Sequence, residues 1–191
     1  MTLRLSLAKN DPLQTTFFCP ERAIHYTSDT VTRNRPFLQG GSKATTTVWK
    51  NVVGESIHVG IIEWPANPND RPTVVVGSRT IEMIKMGLYT YPEKFQGIHS
   101  EWYEWQIRQS RAQLVPLEVA RSQACIATFV TTVTQALFRQ KKSPALLISP
   151  EAVHILDDIV VTFIYFESQW RERERARSGA WDSGYAAGVA L

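Results

Sequence analysis

Cysteine is nearly absent from this chain. Only Cys19 and Cys125 occur, far apart in sequence, and the opening MTLRLSLAKNDP has no apolar core of signal-peptide length. Without an export signal, the expectation is two free thiols in a reducing compartment rather than a disulfide. A cytoplasmic protein follows, with peripheral attachment to membranes as the variant. Strong charge is lacking too. The net charge is +3, and the four arginines and two glutamates between Arg171 and Arg177 supply two of those units. The remainder is almost neutral, so no nucleic-acid partner is expected. The chain also has no glycine-rich phosphate loop, no zinc-ligand spacing and no Ser-His-Asp signature. No cofactor and no metal are therefore expected, although a dispersed triad would leave no local signature.

What is present is an ordinary globular composition, 43% hydrophobic and 20% charged over 191 residues, which suits one domain with a sizeable core. The most informative segment is SPEAVHILDDIVVTFIYFESQWRERERAR, residues 149–177. Ser149 is a suitable N-cap, Pro150 suits the first helical position, and Glu151 complements the positive end of the helix dipole. A helix from Pro150 to Arg173 would be about 36 Å long. Val153, Ile155, Leu156, Ile159, Val160, Phe163, Ile164, Phe166 and Trp170 fill about half its circumference. Burying such side chains contributes roughly 1.5–3 kcal/mol each before entropy is charged. The Val153–Phe166 run is shorter than the roughly 20 apolar residues of a membrane span and contains two aspartates. It reads as a core helix.

The rest of the apolar signal comes in short β-branched and aromatic runs: TTFFC (15–19), TTTVW (45–49), IHVGIIEW (57–64), TVVVG (73–77), EWYEWQI (101–107) and CIATFV (125–130). A last hairpin of ALFRQ and ALLIS, turned by KKSP, is expected. All ten prolines fall in gaps, at strand ends or at the helix start. Asp29–Ser42 and Met83–Ser100 read as loops, the second long enough to hide a short helix or an edge strand. The SGAWDSGYAAGVAL stretch, 178–191, reads as a mobile tail after a single domain of residues 1–177.

Many antiparallel strands followed by one hydrophobic helix predict a mainly β fold. The expectation is a closed antiparallel barrel of about ten to twelve strands around a central helix over about 150–173, which buries the apolar arc and removes sheet edges together. The polar seam of His154, Asp157, Asp158 and Tyr165 must then meet polar wall groups or face a gap.

KNDPLQTTFF, IHYTSDT, ATTTVW, GIIEW, EWYEWQI and HILDDIVVTFIYFE, in that order from about Leu3 to Arg175, resemble a large fungal family of uncharacterised small domains. That family is similar to the tubby-like superfamily, which includes phospholipid scramblases and plant tubby-like proteins. The resemblance implies a β-barrel around a central hydrophobic helix and implies no particular activity. Met83–Ser100 and Ser178–Leu191 depart from the pattern.

Candidate chemistry is thin. His154, Asp157 and Asp158 share one helix face and could hold an ion, but the ordinary reading is a seam bonded to the wall. His99, Glu101 and Glu104 surround EWYEW, yet Glu101 and Glu104 lie three apart on a strand and point to opposite faces. Of Trp102 and Trp105, one is expected in the core and one on a rim. Cys19 and Cys125 lack a nucleophile motif, with His25 or His58 the conceivable bases; both read as small buried hydrophobes. Two basic groups remain, Arg33, Arg35 and Lys43, and Arg139, Lys141 and Lys142. Clustered loop cations can hold an anionic headgroup. The RERERAR run is expected to end the helix in water.

The sequence thus reads as a non-catalytic binding or scaffold domain of unknown partner, an anionic lipid or another protein. The alternatives are a peripheral module for anionic, phosphoinositide-like lipid, and a hydrolase or lipid-handling enzyme with a pocket at a barrel end.

Overall fold

A computed structural model describes residues 2–19, 22–33, 43–67, 69–87, 92–117, 124–131 and 143–186, with backbone alone for 33, 43 and 179–186. The strands are β1 (Leu3–Leu7), β2 (Thr15–Phe18), β3 (Ile24–Arg33), β4 (Lys43–Val52), β5 (Glu55–Trp64), β6 (Thr73–Val76) and β7 (Arg79–Ile81). Then follow β8 (Ile84–Lys85), β9 (Glu93–Gln96), β10 (Trp102–Arg108), β11 (Arg111–Pro116), β12 (Ala127–Val130) and β13 (Ala145–Ile148). A 3-10 turn, Pro150–Ile155, leads into the helix α1 (Leu156–Ala186).

All thirteen strands form one antiparallel sheet in the order β7-β6-β5-β4-β3-β2-β1-β13-β12-β11-β10-β9-β8. This corrects the closed barrel expected from sequence. No ladder joins β7 to β8 among the described residues, so both are free edges. With three and two residues they offer few rungs for a closing ladder, and short edge strands also discourage pairing with other chains. The edges are nevertheless neighbours, because only Glu82 and Met83 separate β7 from β8. The sheet is therefore curled upon itself.

α1 occupies the space inside. Every residue from Asp158 to Glu167 is buried, as a helix apolar nearly all round requires. Its contacts come from both halves of the sheet. Phe163 meets Phe17 of β2 edge-on at 6.1 Å, Trp105 of β10 at 5.8 Å and Phe129 of β12 at 4.9 Å. Trp64 of β5 stacks on Tyr165 at 6.1 Å. Gly60 lets β5 come close to the helix, since a Cβ there would lie 2.8 Å from Val161 Cγ2.

The sequence runs at 15–19, 45–49, 57–64, 73–77, 101–107 and 125–130 all contribute strands. Other expectations need revision. β3 extends through Asp29–Arg33, so that part of the Asp29–Ser42 loop is strand, paired with β4 from Ile24↔Val52 to Arg33↔Lys43. The Met83–Ser100 stretch holds the edge strand β8 and β9. ALLI pairs with ATFV of β12, while ALFRQ lies outside the described residues. Pro150 opens a 3-10 turn rather than the α-helix, and Ser149, though extended at the N-cap position, makes no side-chain capping bond. α1 continues past Arg173 to Ala186, into the stretch expected to form a tail.

Candidate functional site

At the end of the sheet where the helix enters, a pocket of about 280 Å³ is lined by Lys50, His58, Arg79, His154, Asp157 and Asp158 together with Ile57, Val59, Val76 and Val153. The polar seam foreseen on the helix finds its wall partners here. Asp157 Oδ1 accepts from the Tyr26 hydroxyl at 2.5 Å and from Lys50 Nζ at 2.9 Å. Asp158 accepts from Arg79 Nη2, at 2.7 Å to Oδ1 and 2.9 Å to Oδ2, and from the Ile98 N–H at 2.9 Å. Deeper in, Trp105 Nε1 donates to Thr162 Oγ1 at 2.9 Å, and Thr162 donates to the Asp158 carbonyl at 2.6 Å. Burial, then the charge of Asp157 and the bond to it, push the Tyr26 hydroxyl far above its ordinary pKa, so it stays a neutral donor.

Sequence reasoning singled out the two aspartates and missed Lys50 and Arg79. A signal existed for Lys50. Period-two alternation puts it on the same face as the buried Thr46 and Val48, an unusual position for a cation without a partner inside. Arg79 follows the turn after TVVVG and carries no such signal.

The remaining candidates do not converge into catalytic machinery. The His99 and His154 rings face each other at 5.4 Å between centroids. Glu101 accepts a short hydrogen bond from Tyr103, and Glu104 stands opposite Val115 and Lys94 on its strand neighbours. Trp105 is fully buried, whereas Trp102 lies under Lys94 Nζ at 5.2 Å, the core and rim pair expected. Both cysteines are free thiols. Cys19 is buried, and Cys125 is partly exposed, its sulfur 2.9 Å from the Ala127 carbonyl. His25 is exposed, and His58 packs against Trp49 at 5.2 Å. Among the described residues no group of three or more His, Cys, Asp or Glu side chains is arranged to hold a metal ion, and no helix is long and apolar enough to cross a membrane.

The opposite end, where the helix leaves, is built from arginines and buried carboxylates. Arg171 Nε bonds Glu167 Oε1 at 2.8 Å, while its two Nη atoms bond the carbonyl and side chain of Asn10 at 2.7 and 2.8 Å. Arg173 bonds Glu93 Oε1 at 2.7 Å. Glu93 and Glu167 are fully buried. The RERERAR run thus begins folded back on the wall instead of ending the helix in water, because an unpaired buried carboxylate would be costly. Burial raises the Glu167 pKa, and the charge and hydrogen bond of Arg171 oppose the rise. Tyr165 is likewise pushed up, first by burial and then by the charge of Glu93.

Of the six predicted headgroup residues, Arg35, Arg139, Lys141 and Lys142 lie outside the described residues, and Arg33 and Lys43 are described by backbone alone. Arg33 and Lys43 are directly paired at the last rung of the β3–β4 ladder. One rung inward, Ala44 pairs with Trp64, whose ring stacks on Tyr165 near the helix exit. The β12–β13 connection leaves from the Val130↔Ala145 pair, beside Phe129, whose ring lies 5.9 Å from the Arg171 guanidinium. Both connections therefore start at the exit end. Arg108 and Arg111, opposed at the β10–β11 turn, close the same end, three rungs beyond the Trp105↔Leu114 pair.

No curated protein and no solved structure matches this chain. One family model does, over residues 10–172, and the chain belongs to that Family of unknown function (DUF6593).

Proposed function

We propose that this is a non-catalytic binding or scaffold domain, of the tubby-like type that its resemblance to fungal small domains implies, and that it meets an anionic headgroup at the helix-exit end. One observation carries the reading. The two connections that hold Arg33, Arg35, Lys43, Arg139, Lys141 and Lys142 are remote in sequence yet leave the sheet beside the same emerging arginine segment. The backbones of Arg33 and Lys43 pair at the last rung of the β3–β4 ladder, so both cationic residues belong to the same strand end. The tubby-like reading draws support from a helix near the C-terminus that an antiparallel sheet surrounds.

Each cation near an anionic surface contributes about 1 kcal/mol, so three to six give measurable, salt-sensitive binding. A cytoplasmic protein recruited to anionic membrane fits this chemistry. Liposome co-sedimentation tests it. Pelleting is expected with anionic vesicles at low salt, with loss at high salt and in the Lys141→Glu, Lys142→Glu double variant. Equal pelleting with neutral vesicles, or an unaffected double variant, overturns the assignment.

The rival reading, a hydrolase or lipid-handling enzyme, has one feature in its favour, the polar pocket at the entry end. Both carboxylates there already accept hydrogen bonds from wall donors. A screen for esterase and phosphatase turnover is expected to be blank. Turnover abolished by His154→Ala would establish the rival.

A further inference from the structure

We propose that the entry pocket binds a small organic anion, a carboxylate or phosphate ester with a short apolar body, between Arg79 and Lys50. The site lies at the opposite end from the headgroup reading and does not depend on it.

Both cations have donors left unspent. Arg79 uses a single nitrogen, Nη2, for both oxygens of Asp158. Nε and Nη1 make no hydrogen bond among the described residues, which leaves one N–H of Nε and two of Nη1 for the oxygens of a carboxylate or phosphate. Among the described residues Lys50 Nζ has one hydrogen-bond acceptor, Asp157 Oδ1, and it has three hydrogens to donate. Both cations line the same pocket and are only partly exposed, 33% for the Arg79 side chain and 23% for Lys50.

Their aspartates act as positioning residues. Asp158 is held by the Ile98 N–H as well as by Arg79, and Asp157 by Tyr26 as well as by Lys50. Each cation is thus fixed at the mouth with donors to spare, a preorganised arrangement. The helix end is not the anchor, since the Leu156 N–H is already bonded to the Val153 carbonyl in the 3-10 turn. Ile57 and Val153 supply an apolar side. At about 280 Å³ the pocket lies just below the range of drug-sized sites, so its occupant is metabolite-sized.

The test is a titration of the full chain, followed by ¹H–¹⁵N spectra, with sodium butyrate, butyl phosphate and, as the uncharged control, n-butanol. Saturable shifts are expected at the Arg79 side-chain Nε–H and at the Gly77 and Ile57 amides with one or both anions, and none with butanol. Butyrate alone assigns a carboxylate and butyl phosphate alone a phosphate ester. Arg79→Lys keeps a cation for Asp158 but loses the free Nε and Nη1 donors, and is expected to weaken anion binding at least tenfold with a dispersed, folded spectrum. Lys50→Met, which leaves Asp157 its Tyr26 donor, is expected to weaken binding as well and carries the test if Arg79→Lys does not fold. No saturable shift with either anion overturns the proposal. So do equal shifts with butanol, or wild-type affinity in a folded Arg79→Lys or Lys50→Met protein.

Discussion

Arg79 and Asp158 are 79 residues apart in sequence and 2.7 Å apart in the fold. The arginine stands on a free edge of the sheet and the aspartate in the first turn of the enclosed helix. Their ion pair pins an edge that no ladder among the described residues holds on its open side. Removing the arginine leaves a carboxylate only 4% exposed with one backbone donor. Arg79→Ala is therefore expected to cost about 2–4 kcal/mol, toward the lower side of what breaking a buried pair costs because Arg79 itself is partly solvated. Urea denaturation at constant pH measures it. A loss under 0.5 kcal/mol, the range of ordinary surface changes, would show that the edge needs no pin.

Ile159 is fully inaccessible within the apolar core. Ile159→Asp is expected to abolish soluble folding, because it places an unpaired charge where no wall donor waits. Soluble, cooperatively unfolding Ile159→Asp protein would contradict the enclosed position of the helix.

The helix and its burial were legible because nine large apolar side chains recur with helical spacing beside a strand-rich remainder. The strands that were legible are those dense in β-branched or aromatic residues, as in TVVV, IHVGII and EWYEWQI. β1 and β9 were harder to read, since LRLSL alternates but holds no β-branched or aromatic residue and EKFQ holds a single large apolar residue. Register, and hence the open edges, depends on pairings between distant segments that no local pattern encodes. The same holds for the sites. Asp157 and Asp158 stood out as a polar seam, but Lys50 and Arg79 reach them from 107 and 79 residues away. Alternating charge in RERERAR was visible, whereas the buried carboxylates that capture Arg171 and Arg173 were not.

At Gly60 the sheet comes close to the helix. An alanine Cβ there would lie 2.7 Å from the Val75 carbonyl and 2.8 Å from Val161 Cγ2. Gly60→Ala is expected to destabilise by about 1–3 kcal/mol, as overpacking does. Adding Val161→Ala removes one of the two clashes, so the double variant is expected to be more stable than the sum of the single effects. Simple additivity in thermal denaturation would mean that the two elements do not touch in solution.

Glu167 gives the fold a pH dependence of known sign. Its folded pKa is raised above the ordinary 4.5, chiefly by burial. A group raised in this way leaves stability intact below its unfolded pKa and lowers it as pH rises through the folded value. Glu167→Gln is expected to flatten that decline, with the difference in Tm from wild type growing between pH 4 and 7. A variant whose Tm runs parallel to wild type across that range would show that Arg171 fully compensates the buried charge.

The central claim is that the helix-exit end, and not the outer face of the sheet, meets anionic surfaces. Hydrogen exchange of the full chain, alone and on vesicles containing anionic lipid, tests it directly. The expected result is protection confined to the connections between β3 and β4 and between β12 and β13, with the Asn10 and Arg108–Arg111 backbone beside them, and removed by high salt. Protection centred on the entry end or spread over the outer face, or no change on anionic vesicles, would contradict it.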